Sequence, residues 1–259
     1  MKTPLCIGLV LFAASSLVRA GDVSKAPSYE ECFNGSHNRL ELLAGAKIGV
    51  PGSGVSGKTD DRAYIGVPAT TENAPGGPVA TAVAPIAPDA LSAFTCTFWY
   101  YLDEQGPVLQ VPISTASLLF LLTEKGFEVR IENSLEQPRQ YVFSPGINGP
   151  LAGWRDTNKW IFAAFSWDQS TNTLVVHQGT PSAAVAYMRD MVRPAPAKPS
   201  LPRTDLTRYP ETIGNTFRAY DRPLAGRMDN VRFFERVLGR AELEAIRKAD
   251  VANVPVNLN

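Results

Sequence analysis

GSGVSGKT, residues 52–59, fits the phosphate-loop pattern G-x-x-x-x-G-K-[ST] without a mismatch, and its glycines 52, 54 and 57 also fit G-x-G-x-x-G. A true phosphate loop would make the chain an α/β protein. It needs a buried strand before it and a helix after it, because the helix N-terminus and the loop amides together form the anion site. Here Pro51 sits directly before Gly52, and DDRAYIGVP after Thr59 meets Gly66 and Pro68 before a helix could complete two or three turns. No alternation of strand and helix follows, as either nucleotide fold requires. The stretch therefore predicts a glycine-rich bend between two strands, with Ala63, Ile65 and Val67 alternating in the second. No nucleotide is expected, and Lys58 should face solvent or an edge.

Working outward, strand signals dominate. SAFTCTFWYYL, 92–102, alternates Phe94, Cys96, Phe98 and Tyr100 with Thr95, Thr97, Trp99 and Tyr101. SLLFLLTEKGFEVRIEN, 117–133, and KWIFAAFSWDQSTNTLVVHQG, 159–179, read as hairpins. RLELLAGAKIGV, 39–50, suggests one or two short strands, and 211–237 carries two more strand-like runs. Residues 68–91 hold prolines at 68, 75, 78, 85 and 88, which predicts a loop or meandering edge. Residues 192–210 read as a second Pro-rich loop. Only GRAELEAIRKAD, 239–250, reads as a helix, with Leu243 and Ile246 on one stripe and Glu244 four residues before Lys248. Many short strands and one helix predict an antiparallel sandwich or barrel in a single domain.

The start of the chain reads as an export signal over 1–20. Lys2 is basic, Leu5–Val18 is largely apolar, and Val18-Arg19-Ala20 suits cleavage after Ala20. The alternative, a membrane anchor, would need a longer apolar run. The expected organisation is a loosely ordered segment over 21–38, the sandwich domain over 39–250 and a tail over 251–259, secreted, periplasmic or at the cell surface. The 25 basic and 25 acidic residues balance. Losing Lys2 and Arg19 with the leader makes the remainder slightly acidic, which is no footprint for nucleic acid. After the leader, Cys32 and Cys96 remain. In an oxidising compartment the expectation is a bridge between them; the other reading leaves Cys96 as a small core hydrophobe.

The pattern resembles the laminin G-like, concanavalin A-like lectin/glucanase jelly-roll family. GVSGKTDDRAYIGVP is similar to that family's entry segment, FTCTFWYYL to its tryptophan strand, and KWIFAAFSWDQSTNTLVVHQGTP to its central hairpin. TIGNTFRAYDRPLAGRMDNVRFFERVLGRAELEAI resembles its closing strand and helix. The likeness spans roughly residues 40–247. It implies a two-sheet antiparallel jelly-roll sandwich with a short C-terminal helix, and a recognition role toward carbohydrate or a surface or extracellular protein. It also implies possible calcium near a sandwich edge, and by the same fold a glycoside hydrolase or polysaccharide lyase as the enzymatic alternative.

Strict strand alternation places Asp229 on the face of Val231 and Phe233, hence inward. A buried carboxylate needs a partner: backbone amides, an arginine, or calcium, for which Asp229 is the candidate ligand. For glycan stacking the candidates are Trp99, Tyr101 and Trp154, although Trp99 could lie under a covering loop and Trp154 could be a packing plug. Glu128 and Glu132, on one face of one strand, would stand about 13 Å apart, too far for the carboxylate pair a hydrolase needs. A lyase could use Tyr141, His177 and Arg139, but no spacing unites them. The reading is therefore a non-catalytic recognition domain.

Overall fold

The computed structural model describes residues 26–35, 40–43, 46–66, 79–82, 93–103, 109–114, 118–123, 126–131, 141–143, 153–168, 170–171, 173–191, 212–215 and 222–258. The leader, the 192–210 loop, Glu132 and Arg139 lie outside them. In chain order the strands are β1 (Tyr29–Glu31), β2 (Leu40–Leu43), β3 (Lys47–Ile48), β4 (Tyr64–Ile65), β5 (Val79–Ala82), β6 (Ala93–Leu102), β7 (Gln110–Ser114) and β8 (Leu118–Thr123). They continue as β9 (Gly126–Ile131), β10 (Tyr141–Phe143), β11 (Trp160–Asp168), β12 (Thr173–Gly179), β13 (Ala186–Met191), β14 (Thr212–Ile213) and β15 (Gly226–Phe234), and one helix follows, α1 (Arg240–Ala252).

One sheet runs β13-β12-β11-β6-β15-β4-β3, with β1 also on β15; the other runs β10-β9-β8-β7-β14-β5-β2. The named strands pair antiparallel, including both expected hairpins, β8–β9 and β11–β12. The result is a two-sheet jelly-roll sandwich. One expectation is corrected. Within the proline-rich 68–91 stretch, the four proline-free residues of β5 form an interior strand between β14 and β2.

Alternation along β6 explains the core. Phe94, Cys96, Phe98 and Tyr100 face the other sheet and are fully buried. Phe98 meets Phe120 of β8 edge-to-face at 5.0 Å, and Phe94 stacks on Phe233 of β15 at 5.1 Å, geometries that suit the ring quadrupole. Trp154 is a plug: 3% exposed, it packs near Phe120, and its carbonyl accepts the Tyr100 hydroxyl at 2.7 Å.

A second, smaller core lies on the outer face of the β6 sheet. There α1 lays Leu243 and Ile246 over Trp99, Phe162, Ala164 and Phe234. The helix starts where Gly239 N donates to Glu242 Oε2 at 2.9 Å, half of a capping box. It ends at Asn253 in the left-handed conformation (φ 49°). The last helical turn carries no basic residue of its own. Lys58 supplies the charge instead, donating Nζ to the Ala252 carbonyl, where a cation suits the helix dipole.

The disulfide expectation is corrected: Cys32 and Cys96 are both free. β1 and β6 flank β15 on opposite sides, so the two cysteines stand at least two strand spacings apart, roughly 9–10 Å or more, beyond the ~7 Å Cα limit for a bridge. Cys96 also points into the inter-sheet core, whereas Cys32 lines an outer cleft. Thiol titration of protein unfolded without reductant should therefore find both Cys32 and Cys96 free, and reductant should leave the melting temperature unchanged.

Candidate functional site

No helix follows Thr59; the chain turns and enters β4. Yet the loop amides do hold anions, and these are the protein's own. Val55 N donates to Asp229 Oδ2 at 2.8 Å, and Ser56 N to Asp61 Oδ2 at 2.8 Å. The Asp61 carbonyl in turn accepts Gly52 N at 2.9 Å. Gly52 (φ 79°) and Gly57 (φ 68°) supply the left-handed turns. Gly54 allows the close approach: a Cβ there would stand 2.4 Å from the Asp61 carboxyl carbon. The loop is thus an amide nest closed around two buried side chains.

The orientation of Asp229 differs from strict alternation. The β15–β6 register slips between Asp229 and Arg232, and Asn230 takes φ 48°. This one-residue bulge leaves Val231 and Phe233 in the inter-sheet core but turns Asp229 to the outer face, beside Trp99. Its Oδ1 accepts Asn230 N at 2.8 Å. Asp61 Oδ1 accepts Asn34 Nδ2 at 3.3 Å, so each of the four carboxylate oxygens has an N–H donor. No group of three His, Cys, Asp or Glu able to hold a metal occurs among the described residues. Converging N–H donors fit a carboxylate and do not fit calcium, which takes six to eight oxygen ligands.

Next to the nest, Arg232 and Asp250 form a buried pair. Arg232 Nη2 lies 2.8 Å from Asp250 Oδ1, and Nη1 donates to Oδ2 at 3.0 Å. Trp99 Nε1 also donates to Asp250 Oδ2, at 2.8 Å. Trp99 is therefore enclosed under α1 with its only polar atom satisfied, and the stacking role weighed for it has no open face. With Trp154 buried as well, Tyr101 alone of the three aromatic candidates reaches solvent.

Tyr101 does not stand alone. In register across the sheet run Trp160 (β11), Tyr101 (β6), Arg227 (β15), Ile65 (β4) and Lys47 (β3). This row crosses five strands and about 19 Å at ~4.8 Å per spacing. Its members are half-exposed or exposed, and Trp160 packs in part against the α1 core. Trp160 meets Tyr101 at 5.5 Å and 63°, and the Arg227 guanidinium carbon sits 4.4 Å from the Tyr101 ring centroid. Asp103 holds Arg227 Nη2 at 2.9 Å. Trp160 and Arg227 escape a reading of the sequence because only strand register brings them beside Tyr101.

The family model described as the concanavalin A-like lectin/glucanases superfamily matches residues 75–244. The chain belongs to that superfamily. No curated protein matches it by sequence. Among solved structures it is similar to the binding domain of Paraclostridial Mosquitocidal Protein 1, at 12% identity and TM-score 0.51 over 80% of this chain, though it spans only 46% of that one. It is also similar to domain 4 of AbnA, a GH43 extracellular arabinanase from Geobacillus stearothermophilus, in complex with arabinotriose. That match has 12% identity and TM-score 0.50, covering 83% of this chain and 95% of that one. At such identities the likeness is one of fold.

Of the enzymatic candidates, Glu132 and Arg139 lie outside the described residues. Glu128 lies on β9 opposite Leu121, and Tyr141 pairs with Ile131 on β10. His177 is 5% exposed on β12, and burial, with Arg240 nearby, pushes its pKa down to about 4. It stays neutral and enclosed. Asp229 moves the other way: burial first, then the Asp61 charge, hold its pKa well above the ordinary carboxylate value. The two make opposite contributions to stability. Asp229 stabilises at low pH, and that contribution is lost as pH rises through its native pKa. His177 stabilises above its ordinary value near 6.5, and that contribution, worth about 3 kcal/mol, is lost as pH falls to about 4. Denaturant unfolding from pH 4 to 7.5 should therefore show His177→Gln relatively more stable at pH 4.5 than at pH 7, compared with the wild type. Asp229→Asn should lose the decline on the alkaline side.

Proposed function

We propose that this chain is an exported, non-catalytic carbohydrate-recognition domain whose glycan platform is the Tyr101–Trp160–Arg227 row. The observation that carries the reading is the half-exposed aromatic pair with a guanidinium fixed beside it. Sugar rings present C–H faces that stack on aromatic rings, and hydroxyls that both donate and accept hydrogen bonds. Tyr101 and Trp160 supply two ring surfaces at an angle. Arg227, held by Asp103, supplies donors in a fixed fork, and the Asp103 carboxylate supplies an acceptor. Because the platform rests on rigid strands, little order has to be gained on binding.

Membership of a lectin/glucanase superfamily supports this at the level of fold, as does the likeness to an arabinanase domain seen with arabinotriose. Export rests on the apolar leader over 1–20. The absence of catalysis rests on His177, which is buried and neutral, and on the separation expected for Glu128 and Glu132. The platform is tested by binding to a panel of soluble oligosaccharides, arabinotriose among them, followed by Trp fluorescence. At least one glycan should bind without release of reducing ends, and Tyr101→Ala and Trp160→Ala should each weaken it about tenfold or more, some 1.4 kcal/mol, while both variants still melt cooperatively. Binding that survives both substitutions, or glycan cleavage, would contradict the proposal.

A further inference from the structure

A second concave surface lies away from the aromatic row. It is a cleft of about 590 Å³ between β1 and the tail that follows α1, within the size range of small-molecule sites. Pro27, Phe234 and Pro255 contribute apolar wall. The buried Arg232–Asp250 pair lines it as well, with its charges mutually satisfied.

Three polar atoms at this cleft meet no hydrogen-bond partner among the described residues. Asn230 is 6% exposed; its Oδ1 accepts Arg232 Nη2 at 3.3 Å, but its Nδ2 is uncommitted. Asn253 donates Nδ2 to Asp60 at 2.9 Å and leaves Oδ1 uncommitted. Glu30 accepts Arg232 Nε on Oε1 at 2.6 Å and leaves Oε2 open on a side chain 46% exposed. These atoms open on the cleft, where water or a ligand can take up their hydrogen bonds.

The backbone sharpens the point. Asn230 and Asn253 are both left-handed, at φ 48° and 49°, where glycine fits without strain and asparagine is tolerated. The chain carries at both positions the residue that also brings a polar amide to the cleft. One donor and two acceptors around a small hollow match groups that can do both, namely hydroxyls. A strong anion would meet Glu30, and a cation would compete with Arg232 for it.

We infer that the cleft is a second ligand site, taking a small uncharged polyol of mono- or disaccharide size, independent of the Tyr101 platform. The test uses the full chain and the double variant Asn230→Gly/Asn253→Gly, which keeps both backbone conformations. Glucose, maltose and sorbitol are the neutral probes; glucosamine and glucuronate are the charged controls. The readouts are backbone amide NMR shifts and the alkylation rate of Cys32, which lines the same cleft, followed by peptide-resolved mass spectrometry. At least one neutral probe should shift the amides of residues 30, 230 and 253 and slow Cys32 alkylation. The double variant should weaken that probe about tenfold while still melting cooperatively, and Tyr101→Ala should leave the effect intact. The inference is overturned by no response to any neutral probe, by responses confined to charged probes, or by binding that the double variant retains. Loss of platform binding alone would strike the proposed glycan platform and leave this site standing.

Discussion

Asp229 is the pivot of the outer face. A single extra residue in β15 turns its carboxylate out of the sandwich and under the 50–61 loop, where backbone amides meet it. An ionised carboxylate there, with Asp61 beside it, is costly to bury; the N–H donors on all four oxygens offset part of that cost, and the raised pKa of Asp229 is the remainder. The loop cannot fold this way without the carboxylates, because its amides would otherwise be buried without partners. The carboxylates in turn cannot be buried without the loop.

That closure propagates. With the loop fixed, Lys58 reaches the end of α1 and Asn253 bonds to Asp60. The helix then seals Trp99, and Asp250 neutralises Arg232 beneath it. The sheet face beside the loop and beneath the helix is thereby spent on packing. What stays open is set by where the helix stops. The Trp160–Tyr101–Arg227 row borders the helix-covered core, and the Asn230–Asn253 cleft lies along the helix exit. Both surfaces are therefore by-products of how one sheet face is covered. The sandwich alone does not fix a function, which resides in the site a fold carries.

The sandwich was legible from β6, β11 and β12 because their period-two alternation survives intact in the structure, and α1 from its apolar stripe. The GSGVSGKT stretch was legible as a bend from Pro51, Gly66 and Pro68, but not as a nest, since its anions come from Asp61 and from Asp229, far along the chain. Asp229 itself was read on the wrong face: alternation assumes an unbroken strand, and nothing in RMDNVRFF announces the bulge except Asn230, one of the few residues at ease in the left-handed region. Tyr101 was found by alternation; Trp160 and Arg227 were not, because cross-strand register is a long-range property. The cysteine count suggested a bridge that strand order, with β15 between β1 and β6, forbids. Short β5 was hidden by the prolines on either side of it.

The central claim is that the glycine-rich loop is locked onto the protein's own carboxylates and holds the outer face closed. Native-state amide hydrogen exchange at Val55 and Ser56 tests it most directly. If the claim holds, both amides exchange as slowly as those of β6 and β15, opening only with global unfolding. Exchange at the rate of an exposed surface turn would show that the nest does not form and would contradict the account.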